Sequence, residues 1–99
     1  MEVLVIGGTG NISRGIVTAL LDQNHEVTLF NRGRHPDPPS SDVRVIHGDR
    51  RQRKDFEDKM RSEAFDAVID MISFDAEDAA SALRAFRWRV AHFIQCSTV

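Results

Sequence analysis

The stretch Val3–Asn11, "VLVIGGTGN", is where the chain changes from one kind of secondary structure to another. Its apolar run Val3–Ile6 is typical of a short strand that is buried on both faces. The run ends in glycines, after which Ile12, Ile16 and Leu20 recur at the spacing of one helix face. A strand, a glycine-rich turn and an amphipathic helix in this order predict the first βα unit of a parallel sheet.

The rest of the chain repeats this alternation of short apolar runs and helical patterns. The predicted strands are Val3–Ile6, Glu26–Phe30, Val43–His47, Phe65–Ile72 and Ala91–Cys96, and the predicted helices are Asn11–Gln23, Lys54–Ala64 and Ala76–Arg87. Asn24 is predicted to end the first helix in a left-handed conformation, and Phe56 and Met60 are predicted to face inward. The segment Asn31–Asp42 holds all three prolines and is predicted to be a loop. This pattern predicts an α/β fold, a doubly wound parallel sheet with strand order 3-2-1-4-5.

Length and composition restrict the class of protein. The chain has 99 residues, which is at most one domain, and a hydrophobic content of 41%, which is typical of a globular core. A net charge of −2 provides no basic field for nucleic acid or an anionic membrane. No apolar run approaches the roughly 20 residues of a membrane helix, and the N-terminus does not resemble a signal peptide. The single cysteine, Cys96, cannot form an internal disulfide, so we expect a cytoplasmic protein.

The glycine-rich turn is a candidate phosphate site. Backbone N–H groups and a helix N-terminus attract an anion, and glycines let it approach closely. Gly7 is expected to form the tight turn and Gly10 to admit a dinucleotide pyrophosphate, while Ser13 stands where the usual fingerprint has its third glycine. The predicted phosphate-binding residues are Gly7, Gly8, Thr9, Gly10, Asn11 and Ile12. The alternative is a tight turn that binds no ligand.

The end of the second predicted strand bears on the choice of cofactor. An acidic residue there would bind the ribose 2′-hydroxyl of NAD, but this chain has Asn31 and Arg32, with Arg34 close behind. A guanidinium can pair with a 2′-phosphate and stack on the adenine. The sequence therefore favours NADP over NAD, unless the two arginines are simply solvated loop charges.

Taken together, "VLVIGGTGN", "FNRGR", "VIHGDRRQ", "FDAVIDMISF" and "HFIQCSTV" resemble the N-terminal part of the NAD(P)-dependent epimerase/dehydratase family, the extended or atypical short-chain dehydrogenases/reductases. The resemblance spans essentially the whole chain and implies an incomplete Rossmann fold. It further implies that Asp49 contacts the adenine amino group and that Met71 and Ile72 run along the ribose and nicotinamide. The catalytic hydroxyl of the family maps best onto Thr98, with Ser97 next, where it would bond a substrate carbonyl or hydroxyl.

One part of the family pattern is missing from these residues. The family's catalytic base is a tyrosine in a Y-x-x-x-K motif, whereas this chain has no tyrosine and only two lysines, Lys54 and Lys59. We therefore expect residues 1–99 to be a partial NAD(P)-binding domain without its catalytic and substrate-binding part, inactive in hydride transfer. The complete protein would act on a sugar nucleotide or another small carbonyl or hydroxyl compound. The alternative is a non-catalytic module that senses NADP or serves as a scaffold.

Charged clusters outside the glycine turn admit simpler interpretations. The basic run Asp49–Lys54, "DRRQRK", is either a solvated loop and helix start or, as in some relatives, an RNA contact. Asp70, near the end of the fourth strand, is a candidate to face the cofactor cleft. The four histidines show no metal-ligand spacing, so no metal site is predicted. The edge of the fifth strand could pair with a second copy of the chain.

Overall fold

The chain forms a five-stranded parallel sheet with helices on both faces in the computed structural model, which describes residues 1–7, 11–31, 43–71, 76–86 and 89–95. The strands are β1 (Glu2–Ile6), β2 (Glu26–Asn31), β3 (Arg44–His47), β4 (Ala67–Asp70) and β5 (His92–Gln95), and the helices are α1 (Asn11–Asp22), α2 (Arg53–Arg61) and α3 (Ala76–Phe86). The strand order is β3-β2-β1-β4-β5 with every neighbouring pair parallel. The predicted fold class and strand order are therefore confirmed.

The predicted elements are found, and several are shorter than expected. β4 covers only the middle of the predicted strand Phe65–Ile72. Phe65 precedes β4 and is nevertheless buried, because its side chain belongs to the same core cluster as Leu4 and Phe56. Asn24 has φ of 65°, the left-handed conformation predicted for the end of the first helix. Most of the predicted proline-rich loop, residues 32–42, lies outside the described residues.

Alternation along the strands divides the core into two layers. The layer under α2 and α3 contains Leu4, Ile6, Phe30, Phe56, Met60, Phe65, Val68, Ala82, Ala85 and Phe86, and the layer under α1 contains Val3, Val5, Val17, Val27, Leu29, Val43 and Ala67. Successive side chains of a strand point to opposite faces, so each central strand contributes to both layers. Phe56 and Met60 are fully buried in the first layer, as their helical spacing predicts.

The register aligns the carboxyl ends of the four strands β1 to β4. Ile6 lies opposite both Phe30 and Asp70, and Asn31 lies opposite His47. The residues that follow β1, β3 and β4 therefore emerge at the same edge of the sheet as the last residue of β2. In open α/β sheets this carboxyl edge is where ligands bind.

Candidate functional site

The glycine turn begins at the centre of the carboxyl edge. Gly7 has φ of 95°, a backbone conformation that an L side chain rarely adopts. Its N–H donates to the carbonyl of Phe30 at 2.8 Å, so this amide extends the sheet. Gly7 thus makes the turn out of β1, and α1 starts four residues later at Asn11, which brings the helix N-terminus close to this edge. Gly8, Thr9 and Gly10 lie outside the described residues.

The neighbouring strand ends are held together by backbone bonds. The N–H of Met71 donates to Ile6 O at 3.1 Å, and the N–H of Gly48 donates to Asn31 O at 2.8 Å. Met71 is half-buried and packs against the core on the α1 side of the sheet. Asn31 Oδ1 lies 3.3 Å from Nδ1 of His47. The sheet therefore brings Gly7, Asn31 and Met71 to one edge. The other predicted residues of the strand ends, Arg32, Arg34 and Ile72, lie outside the described residues.

Asp49 is oriented by its own turn. Its Oδ1 accepts the N–H of Arg51 at 2.8 Å, and its carbonyl accepts the N–H of Gln52 at 3.0 Å. The first bond holds the carboxylate beside the end of β3, and the second closes the turn that follows this strand. Asp49 thus belongs to the same carboxyl edge as Gly7 and Asn31.

Asp70 does not act as an open carboxylate of a cleft. It is fully buried on the α2 and α3 face of the sheet, and its Oδ1 lies 2.5 Å from Nη1 of Arg50. Arg50 itself, the first arginine of the basic run, is only 4% exposed. A buried charge needs a partner of opposite sign, so this pair is an internal ion pair. Sequence reasoning missed it, although an aspartate that ends the apolar strand Ala67–Asp70 signals a buried cation nearby.

A second buried carboxylate joins the two helices on that face. Glu57 of α2 accepts bonds from Ser81 Oγ at 3.0 Å and from Nε and Nη2 of Arg84 at 3.0 and 3.2 Å. The Arg84 bond, with a smaller contribution from Ser81, holds the pKa of the Glu57 carboxyl below its ordinary value. This group contains no residue of a strand, and it joins α2 to α3.

Three further predictions concern a metal site, the catalytic hydroxyls and a membrane-spanning helix. No group of three or more histidine, cysteine, aspartate or glutamate side chains that could hold a metal occurs among the described residues. Ser97 and Thr98 lie beyond the last described residue, so their role stays a prediction. Among the helices described, none is long and apolar enough to cross a membrane.

The amino-acid sequence of the chain is similar to that of two characterised proteins. The chain is similar to 2′-dehydrokanamycin reductase of Streptomyces kanamyceticus, with 39% identity over 86% of the chain and 24% of that protein. It is also similar to the chloroplast stem-loop binding protein of 41 kDa b of Arabidopsis thaliana, with 30% identity over 98% of the chain and 29% of that protein. The chain thus spans about a quarter of the length of these curated relatives.

Solved structures share the fold at low sequence identity. The UDP-Glc/GlcNAc 4-epimerase of Campylobacter jejuni superimposes with a TM-score of 0.81 and 16% identity, over 99% of this chain and 37% of that one. A Rossmann-fold NAD(P)-binding family protein from Shigella flexneri superimposes with a TM-score of 0.69 and 24% identity, over 93% of this chain and 49% of that one. The family model "NAD dependent epimerase/dehydratase family" matches residues 3–98. The chain therefore belongs to the NAD(P)-binding epimerase/dehydratase family.

Proposed function

We propose that residues 1–99 form the cofactor-binding part of an NADP(H)-dependent reductase, epimerase or dehydratase. The observation that carries this proposal is the alignment of four predicted contact points, Gly7, Asn31, Asp49 and Met71, along one carboxyl edge. Their order across the sheet runs from the adenine-binding side at β3 to the nicotinamide-binding side at β4. A dinucleotide lying along that edge would meet all four.

The pyrophosphate would lie at the turn between β1 and α1. Gly8, Thr9 and Gly10 would supply backbone N–H groups, and Asn11 and Ile12 in the first turn of α1 would add the positive end of the helix dipole. The left-handed backbone at Gly7 supports this role, since it directs the chain sharply out of the sheet and into the helix. The Gly7 amide is excluded as a phosphate donor because Phe30 already accepts its hydrogen.

The adenine side would be formed by Asn31 and Asp49, with Arg32 and Arg34 as the cations that select a 2′-phosphate. Asp49 supports this assignment because local bonds already hold its carboxylate in place. No carboxylate follows β2 closely enough to bind the 2′-hydroxyl of NAD in the usual way. NADP is therefore proposed over NAD.

The nicotinamide side would be formed by Met71 and Ile72, with Thr98 or Ser97 bonding the substrate oxygen. When bound, the cofactor supplies or accepts the hydride. Because the chain has no tyrosine, a tyrosine base would have to come from residues beyond these 99. The name of the Streptomyces relative favours reduction of a carbonyl on a small molecule, and sugar nucleotides remain within the proposed substrate class. A non-catalytic NADP sensor or scaffold is the alternative that needs no such base.

Fluorescence titration of the chain with NADPH and with NADH tests the cofactor assignment. We expect NADPH to bind more tightly, and Arg32→Ala to remove that preference while leaving NADH binding unchanged. Equal or tighter binding of NADH by the unmodified chain would contradict the NADP assignment. Failure to bind either nucleotide would contradict the proposed function as a whole.

RNA binding is a second candidate, favoured by the stem-loop binding relative. Of the basic run, Arg50 is buried, whereas Arg51 and Lys54 are exposed and available to phosphates. Salt-dependent affinity for an RNA stem-loop that Arg51→Ala with Lys54→Ala abolishes would support it. Salt-independent or unaltered binding would count against this surface.

A further inference from the structure

Arg50 and Asp70 join two places on the sheet that are not neighbours. Arg50 follows β3 by way of Gly48 and Asp49, and Asp70 is the last residue of β4. In the strand order, β2 and β1 lie between them. Three strand spacings place β3 and β4 about 14 Å apart, yet Arg50 Nη1 and Asp70 Oδ1 are 2.5 Å apart.

The Arg50–Asp70 pair is buried, and Arg50 makes further contacts with α2 and α3. Arg50 is 4% exposed and Asp70 is fully buried. Nη2 of Arg50 also donates to the carbonyl of Asp78 in the first turn of α3 at 2.9 Å, and the guanidinium lies 5.3 Å from the ring centre of Phe56. Arg53 donates in turn to the carboxylate of Asp78. The planar guanidinium thus reaches β4 and α3 at once, which a lysine ammonium cannot reproduce.

Each end of the pair adjoins a residue proposed to contact the cofactor. Asp49, on the adenine side, directly precedes Arg50, and Met71, on the nicotinamide side, directly follows Asp70. A dinucleotide that binds along the carboxyl edge would therefore run alongside this internal link. The Arg50–Asp70 pair would then set the distance between the adenine-binding and nicotinamide-binding parts of the site.

We propose that Arg50 is a positioning residue, which holds the adenine-binding loop and the nicotinamide-facing end of β4 at the separation that one dinucleotide spans. This inference rests on the proposed function. Two half-sites bind a joined ligand far more tightly than its separate parts only when their spacing suits it. Loss of the Arg50–Asp70 pair should therefore lower the affinity for the whole dinucleotide more than the affinity for its adenine half. The adenine side is less affected because Asp49 keeps its own local bonds to Arg51 and Gln52.

The double variant Arg50→Met with Asp70→Leu tests this directly. Replacing both charges by apolar side chains avoids the isolated buried charge that either single removal would leave. The ligands are NADPH and its adenine half, adenosine 2′,5′-bisphosphate, with NADH and AMP as a second pair. Arg84→Met with Glu57→Leu is the matched control, because it likewise replaces both charges of a pair, one that joins α2 to α3 and includes no residue of β3 or β4.

We expect the double variant to bind NADPH at least about tenfold more weakly, with the affinity for adenosine 2′,5′-bisphosphate changed by less than about threefold. Arg84→Met with Glu57→Leu should leave both affinities within about threefold of the unmodified chain. Arg50→Lys keeps the positive charge, so it should also lower the affinity for NADPH more than that for adenosine 2′,5′-bisphosphate, but by a smaller factor. This variant replaces the double variant in the test if the double variant does not fold.

The positioning role would be overturned if Arg50→Met with Asp70→Leu, or Arg50→Lys, lowered the affinities for NADPH and adenosine 2′,5′-bisphosphate equally. It would also be overturned if these variants lowered neither affinity. If the unmodified chain binds NADPH and the ratio of the two affinities does not change, only this inference fails. If the unmodified chain binds neither NADPH nor NADH, the proposed function fails and the inference falls with it.

Discussion

Gly48 packs directly against the ring of Phe30. A Cβ atom built on Gly48 would lie 2.9 Å from Cζ and 3.0 Å from Cε2 of that ring, and 3.2 Å from Nζ of Lys59. Phe30 is itself held between Gly48 and Phe56, whose ring centre lies 5.2 Å away in an edge-to-face arrangement. The glycine before Asp49 therefore lets β3 end close to the aromatic core.

Gly48→Ala should destabilise the chain by about 1–3 kcal/mol, because the added methyl group would press on the ring of Phe30, which is buried and already packs against Phe56. Gly15→Ala is the matched control, since Gly15 lies within α1 and a Cβ atom added there would meet nothing within 4 Å. Alanine at that position should stabilise the helix by about 0.5–1 kcal/mol. Both changes are measured as shifts of the urea unfolding midpoint, provided that the slope of unfolding free energy against urea concentration is unchanged. Equal changes in stability at the two glycines would refute the packing argument.

Gly7→Ala should lower both stability and nucleotide affinity, because φ of 95° strains an alanine by about 1–2 kcal/mol and any relief would move the turn. Asn24→Ala is the control for strain alone. Asn24 also has a left-handed backbone, with φ of 65°, but it ends α1 and leads into the amino end of β2. It should lose a similar amount of stability with unchanged NADPH binding. Weaker NADPH binding in both variants would show that strain alone explains the loss.

Leu4→Ala should cost about 2–5 kcal/mol, since Leu4 is completely buried in the layer under α2 and α3. The same substitution at Leu83, whose side chain is 60% exposed on α3, should change stability by less than about 0.5 kcal/mol. The free energy of unfolding in urea compares the two. A cost at Leu83 close to that at Leu4 would indicate that α3 is covered in solution.

Glu57→Gln should reduce stability in a pH-dependent way. The bonds from Arg84 and Ser81 hold the pKa of Glu57 below its ordinary value of 4.5, so the folded state favours the ionised carboxylate. That stabilisation is complete above pH 4.5 and is lost as the pH falls through the folded pKa. The stability difference between the unmodified chain and Glu57→Gln should therefore be largest near neutral pH and shrink in acid.

Urea unfolding at a series of pH values measures this difference. Asp58→Asn, on the exposed side of α2, is the matched control and should change stability by less than about 0.5 kcal/mol. A difference for Glu57→Gln that grows as the pH falls would contradict the assigned direction of the pKa shift.

Local pattern was sufficient to predict the order of the elements and the turn at Gly7. Residues 3–6 and 67–69 are continuous apolar runs because both faces of a central parallel strand are covered. Alternation with helices then leaves few allowed topologies, so the order of the strands follows from connection rules rather than from any contact. The sharp turn at Gly7 was likewise predictable, because its glycines stand between a strand and a helix.

Only the tertiary structure decided which arginine is buried beside Asp70. Arg50, Arg51 and Arg53 are alike in sequence, yet only Arg50 lies under the sheet against Asp70, a residue 20 positions away on a strand that is not its neighbour. A buried charge is stabilised by whatever lies within a few ångströms of it in space. Sequence determined where strands and helices form because those depend on near neighbours, whereas the pairing of Arg50 with Asp70 depends on the distance that the folded sheet creates.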